Sequence, residues 1–365
     1  MVGRRALAVV AVLVAVVAAW SLVPEDPHRL RDQAEAATRD GDWPTALERW
    51  RTFNRTGHAR GRTHLAEARA CLALDRAAQA EWALRRAVDA DPSDPEPWRL
   101  WLELLRVEGR VAEAHRLGWA SYAAVRPPSR REALRGLTLA LLADLPEDLA
   151  RATLGRWVAA DPGDVEARVA RLARIAAEPR SGDPDRADRI ATLTALLDAD
   201  PLRVSTREAL AVALVDAGEP DRGRDLLEAW PAGLQDARYW RLRGRWELDY
   251  DRQPARAVAS FGLALAELPH DWKTHYRLAR ALQVSGRPAE ARRAASAVAR
   301  IREALDPATL GPRLRADLDR LDDPSSLLDL ARLCELAGLD RLADAWRQVA
   351  ASPPAGPGGS LGGPA

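Results

Sequence analysis

Lysine and asparagine are almost missing from this chain of 365 residues: Lys273 and Asn54 are the sole examples, so arginine carries nearly all of the positive charge. Aromatic residues make up 5%, most of them tryptophan, and there are two cysteines, Cys71 and Cys334. A pair of cysteines is too few for a disulfide-built scaffold. Neither sign of charge is in excess: the formal net charge is +1, with 29% charged and 47% apolar residues, which excludes a disordered polyanion and a global field for capturing nucleic acid. Also missing are a glycine-rich phosphate loop, an H-E-x-x-H pair, a C-x-x-C pair and an EF-hand loop. The residues Gly358, Ser360 and Gly362 fit G-x-S-x-G, but that pattern needs a strand-to-helix turn, and it stands here in a Gly/Pro-rich tail. His58 with His64, and His270 with His275, lack a third ligand and read as surface histidines. The triplet Asn54, Arg55, Thr56 is too short a pattern to count as a glycosylation site. No catalytic residue, cofactor or metal is expected.

The two ends differ from the rest. Residues 6–23 form a run of 18 uncharged positions, preceded by Arg4 and Arg5 and followed by Glu25 and Asp26. A helix of that length approaches a hydrocarbon core of roughly 30 Å. The charge bias favours a cytoplasmic N-terminus with the remainder exported. A cleaved signal ending at the small residues Ala18 and Ala19 is the alternative, giving a secreted soluble protein. Residues 1–26 are therefore expected to be a signal-anchor or transmembrane segment, 27–350 a folded array, and 351–365 a disordered Gly/Pro-rich tail.

Between the ends a period emerges. Gly41 and Ala46, Asp75 and Ala80, Gly109 and Ala114 are equivalent pairs spaced by about 34 residues, and the pair returns as Gly218 and Gly223, Gly286 and Ala291, Gly338 and Ala343. Prolines at 92, 162, 201, 269 and 307 punctuate a helical apolar spacing, as in Trp98, Trp101, Leu102 and Leu105. The unit is a pair of helices joined by a short turn. Starts are expected near Pro27, Gly61, Pro95, Arg131, Val165, Val204, Ala237, Trp272 and Pro324, with a widened turn at 178–184 and an extra or degenerate helix within 301–323. Small residues midway along the helices should let paired helices approach. In an extended array Cys71 and Cys334 would be too distant to bond, and both are expected as buried, unpaired thiols.

This pattern resembles the tetratricopeptide repeat family, most closely in Trp240, Gly244, Ala257, Phe261, Ala264 and Pro269, and again in Ala80, Leu84, Ala87 and Pro92. The resemblance implies an all-α, TPR-like α-solenoid of about nine helix-turn-helix repeats in a right-handed superhelix. It also implies a non-enzymatic scaffold or assembly factor that holds peptide segments or partner helices in a concave groove. Carried onto this chain, that geometry places Arg238, Arg241, Arg245, Lys273, Tyr276, Arg277 and Arg280 on the concave wall as a basic strip. An acidic peptide or free C-terminus would suit it. The partners expected are thus a protein or peptide, and a membrane through the N-terminal helix, with no nucleic acid and no metal. An enzyme whose site is assembled from scattered helices is the reading from another class, and it predicts convergent, displaced titratable groups in one pocket.

Overall fold

The computed structural model describes residues 26–143, 145–177 and 182–351. The uncharged run at 6–23, part of the widened turn and the Gly/Pro tail from Ser352 onward lie outside these residues. Among the described residues there are nineteen α-helices and two short 3-10 turns, and no strand. No described helix is long and apolar enough to cross a membrane.

The chain divides into two compact units, one ending at Ala90 and one beginning at Asp91. The first holds two hairpins: α1 (Pro27–Asp40) with α2 (Trp43–Arg55), and α3 (Gly61–Ala73) with α4 (Ala77–Ala90). The second holds α5 (Pro95–Glu108), α6 (Val111–Ala124), α7 (Arg130–Leu142), α8 (Glu147–Ala160), α9 (Val165–Ala177), α10 (Arg186–Ala199), α11 (Val204–Asp216) and α12 (Pro220–Glu228). It continues with α13 (Ala237–Asp249), α14 (Pro254–Glu267), α15 (Trp272–Val284), α16 (Pro288–Ala304), α17 (Pro307–Leu318), α18 (Pro324–Leu336) and α19 (Asp340–Ala351). Every expected repeat start coincides with a helix start to within one residue, and the extra helix within 301–323 is α17.

The punctuation has a physical cause. Asp26, Asp94, Asp306 and Asp323 each accept a backbone N–H at a helix start, and the proline that follows gives up a donor the first turn could not have used. At the other end of the first helix of a pair, Gly41, Gly109, Gly218, Gly286 and Gly338 adopt left-handed φ between 70° and 81°, as does Asp75 at 56°. The paired small residues thus have different tasks. The first member turns the chain, and only the second, such as Ala46, Ala80, Ala114 or Ala343, is buried in the helix contact. Gly244 also serves close packing: a Cβ there would lie 2.7 Å from the Phe261 ring.

Two histidines differ from expectation. His64 is buried, with Nδ1 3.8 Å from Glu67, and His270 is buried as well, so neither is a surface residue. Glu67 lies one turn along the same helix from His64, whereas His270 has Asp271 beside it and His115 of the distant α6 within electrostatic reach. Both thiols are free and buried, and burial pushes Cys71 up to about 11 and Cys334 to about 12.

The second unit does not run as an open rod. Helix α7 packs on α5 and α6 and also on α19, far along the chain. Leu134, Leu137 and Leu141 of α7 share one core with Leu314, Leu330, Leu342 and Trp346. Inside it the Trp346 indole donates to Thr138 Oγ1 at 3.0 Å. A second tie joins α6 to the start of α13 and the end of α14, where Arg116 meets Glu267 at 2.5 Å and Glu113 meets Arg238 at 3.3 Å. The unit closes on itself through these two contacts.

Candidate functional site

Closure leaves a cleft. Its cavity of about 1460 Å³ lies between the end of α7, the start of α15, the second half of α16, α17 and Leu336 of α18. The lining arises where the repeat register breaks: α16 runs for 17 residues, and Asp306 with Pro307 then starts α17, outside the nine hairpins. Lining charges are Arg241, Lys273, Arg300, Arg302 and Arg313 against Asp271, Glu303 and Asp306. Arg241 and Asp271 cancel at 3.6 Å, which leaves the cleft basic.

The four remaining cations have no ion-pair partner among the described residues. Lys273 and Arg302 instead stand over the Trp272 ring, 5.8 and 5.2 Å from its centroid, an arrangement that holds a cation without neutralising it. Arg300 donates to the Leu336 carbonyl at 3.3 Å. Asp271 is fixed from below: it accepts from the backbone of Lys273 and Thr274, and from Thr274 Oγ1 at 2.6 Å. Burial opposes its charge, but Arg241 and these hydrogen bonds hold its carboxyl below the usual range.

The residues expected on the basic strip fall into three groups. Arg238 and Arg241 are engaged internally. Arg238 forks onto Asp236 at 2.7 Å and reaches Glu113, and Arg241 bonds Glu208 and Asp271. These carboxylates raise both guanidinium values against the opposing cost of burial. Arg280 is exposed and matched by Asp249 at 3.1 Å. Lys273, Arg245 and Arg277 carry no ion pair among the described residues, and Tyr276 is 61% exposed beside them. Arg277 is held below its ordinary value by burial first, and then by Arg245 and Arg241. On α15, Lys273 and Arg277 occur at i and i+4, so the unmatched charge continues from the cleft along one helix face as far as Arg277.

Arg300, Arg302 and Arg313 were not singled out by sequence. Arg302 and Arg313 fall within the irregular stretch at 301–323 and Arg300 just before it, and they meet Lys273 only in the lining of the folded cleft. Among the described residues no group of three or more metal-capable side chains gathers.

Residues 180–245 match the tetratricopeptide repeat family model, and the chain carries repeats of that kind. A search of the curated proteins finds no match. Among solved structures, a tetratricopeptide repeat protein from Parabacteroides merdae is 14% identical, with 70% of this chain and 98% of that one covered at a TM-score of 0.33. Human IFIT1, solved as a dimer with m7Gppp-AAAA, is 16% identical, with 80% and 68% covered at a TM-score of 0.40. The Cut9–Hcn1 hetero-tetramer of APC/C gives 13%, 91%, 80% and 0.29 for the same quantities.

Proposed function

We propose that the second unit is a non-enzymatic scaffold whose basic cleft holds an acidic peptide segment of a partner protein. The observation that carries this reading is the set of cations left unmatched, Lys273, Arg300, Arg302 and Arg313 in the cleft with Arg245 and Arg277 beyond it. Elsewhere in the same unit arginines are paired closely, as in Arg110 with Glu108 and Glu113, or Arg203 with Glu166 and Asp200. In the cleft Lys273, Arg300, Arg302 and Arg313 outnumber Glu303 and Asp306, and a partner's carboxylates offset that excess on binding. Guanidinium groups suit the task because each offers a planar fork to a carboxylate. A cleft of this size admits several residues of an extended chain.

The proposal extends to location. The uncharged run at 6–23, between Arg4–Arg5 and Glu25–Asp26, supports a single-pass anchor with a cytoplasmic N-terminus and the repeats outside the cytoplasm.

One experiment addresses both parts: in-cell crosslinking followed by alkaline washing of the membranes and mass spectrometry. The full chain should stay in the washed pellet, and its crosslinked partner should contribute an acidic segment. The double variants Arg302→Glu with Arg313→Glu, and Arg245→Glu with Arg277→Glu, should each lower crosslinking by about tenfold or more, since 1.4 kcal/mol already corresponds to that factor. Unchanged crosslinks in both variants remove the cleft as the binding site. Release of the full chain by alkali removes the anchor. Arg241 is unsuitable for reversal, because Glu208 and Asp271 would lose their partner.

A further inference from the structure

A second, smaller cavity of about 280 Å³ lies in the same unit. Its walls come from the α5–α6 turn, α9, α10, α11 and the start of α13, and they are mainly aliphatic, with Val169, Leu172, Leu193, Ala209, Val212 and Leu268 among them. Four arginines and three glutamates stand around this apolar interior. Nearly all of these charges are matched in place. Arg110 holds Glu108 at 2.8 Å, Glu166 is held by Arg203 at 2.7 Å, Arg241 bonds Glu208, and Arg238 is forked onto Asp236. One is left over.

Arg189 has no carboxylate partner among the described residues. Its Nη1 donates to the Pro184 carbonyl at 3.3 Å, while its Nε is buried with no acceptor. In the lining of the same cavity the buried Ser205 Oγ, on α11, also lacks a hydrogen-bond partner. Buried donors left unmade are costly, and a guanidinium against an apolar wall more so. A ligand that brings a carboxylate to Arg189 and Ser205, and fills the aliphatic space behind them, satisfies both.

We infer that this cavity binds a small aliphatic carboxylic acid, its carboxylate on Arg189 and Ser205 and its hydrocarbon chain among α9, α10 and α11. Taking a methylene as about a water's share of ~30 Å³, the space corresponds to a chain of roughly nine carbons. A cavity of this volume, walled by five segments of the fold, suits a small molecule. The site borders the basic cleft at Val111, Arg241 and Leu268, but Arg189 and Ser205 line only this cavity and Arg302 and Arg313 only the cleft, so variants at those residues separate the two.

Titration calorimetry of the full chain with octanoate, decanoate, 1-octanol and octylamine tests this. Octanoate and decanoate should saturate a single site, 1-octanol should bind about tenfold more weakly or worse, and octylamine should not bind. Arg189→Ala should weaken octanoate by about tenfold or more and erase the preference for acid over alcohol, as expected for loss of a charge-assisted hydrogen bond. Ala209→Phe should block acid and alcohol alike while Arg302→Glu with Arg313→Glu leaves both unchanged. Equal binding of octanoate and 1-octanol by the unaltered chain overturns the proposal without any variant needing to fold. So does an absence of saturable binding at millimolar acid, or a peptide ending in a leucine carboxylate that binds more tightly than octanoate.

Discussion

His270 shows how burial converts a common residue into a pH-dependent liability. It is buried, its Nδ1 has no partner, and its value is lowered to about 4, by burial first, with His115 adding to the effect and Asp271 opposing it. The unfolded chain protonates the same imidazole near 6.5. Between those limits the unfolded state binds a proton that the native state refuses, so stability is complete above about pH 6.5 and falls as pH drops toward 4. The loss attributable to His270 is on the order of 3 kcal/mol. His115, lowered mainly by burial, contributes with the same sign. Asp271 and Glu113 act at lower pH, because their carboxyls are depressed below the ordinary range and lose their contribution as they protonate. Urea midpoints of His270→Leu measured from pH 7 to pH 4 should fall less steeply than those of the unaltered chain. An identical slope would show that the imidazole is not buried neutral.

At the scale of the hairpin, close approach depends on missing side-chain atoms. Gly244 of α13 faces Phe261 of α14, which is fully buried, and a Cβ would lie 2.7 Å from two of its ring carbons. Gly244→Ala should therefore cost roughly 1–3 kcal/mol through overpacking. The thermal midpoint should drop, and adding Phe261→Leu should recover part of the loss. If Gly244→Ala alone melts as the unaltered chain does, the helices have slack. Much at this scale was legible in the sequence, because hairpin starts and stops are set by residues acting on their own backbone: Asp then Pro at a start, Gly at a left-handed turn. Where the signal is non-local, reading failed. Arg238 and Arg241 look like free cations on α13, yet their partners include Glu113 and Glu208, 125 and 33 residues earlier. Within the basic strip these two are thus engaged by partners that local pattern does not reveal, while Arg300 and Arg302 lie in the long α16 and Arg313 in α17, where the period breaks. The environment of His270, which includes His115 of α6, is hidden from the sequence for the same reason.

Closure is the property of the second unit that no repeat announces, since the apolar face of α7 has the same pattern whether the next hairpin or a distant one covers it. In an open array each repeat touches only its neighbours, and stability is a sum of local and adjacent terms. Here α7 is buried by α19, through Leu134, Leu137 and Trp346 and the hydrogen bond from Trp346 to Thr138, 208 residues apart. The consequence separates the two architectures. Trp346→Ala removes a fully buried side chain, a change that costs about 3–5 kcal/mol in a well-packed core, and it leaves Thr138 without its donor. Amide hydrogen exchange by mass spectrometry should then show lost protection in α18 and α19, and equally in α7, with α10 and α11 little changed. An open array would confine the loss to α16 through α19. Because α7 also forms one wall of the basic cleft, the same variant should weaken crosslinking to the partner while every cleft arginine is still present. Protection of α7 that survives Trp346→Ala would mean that the two ends of the unit merely touch, and that the cleft does not depend on their union.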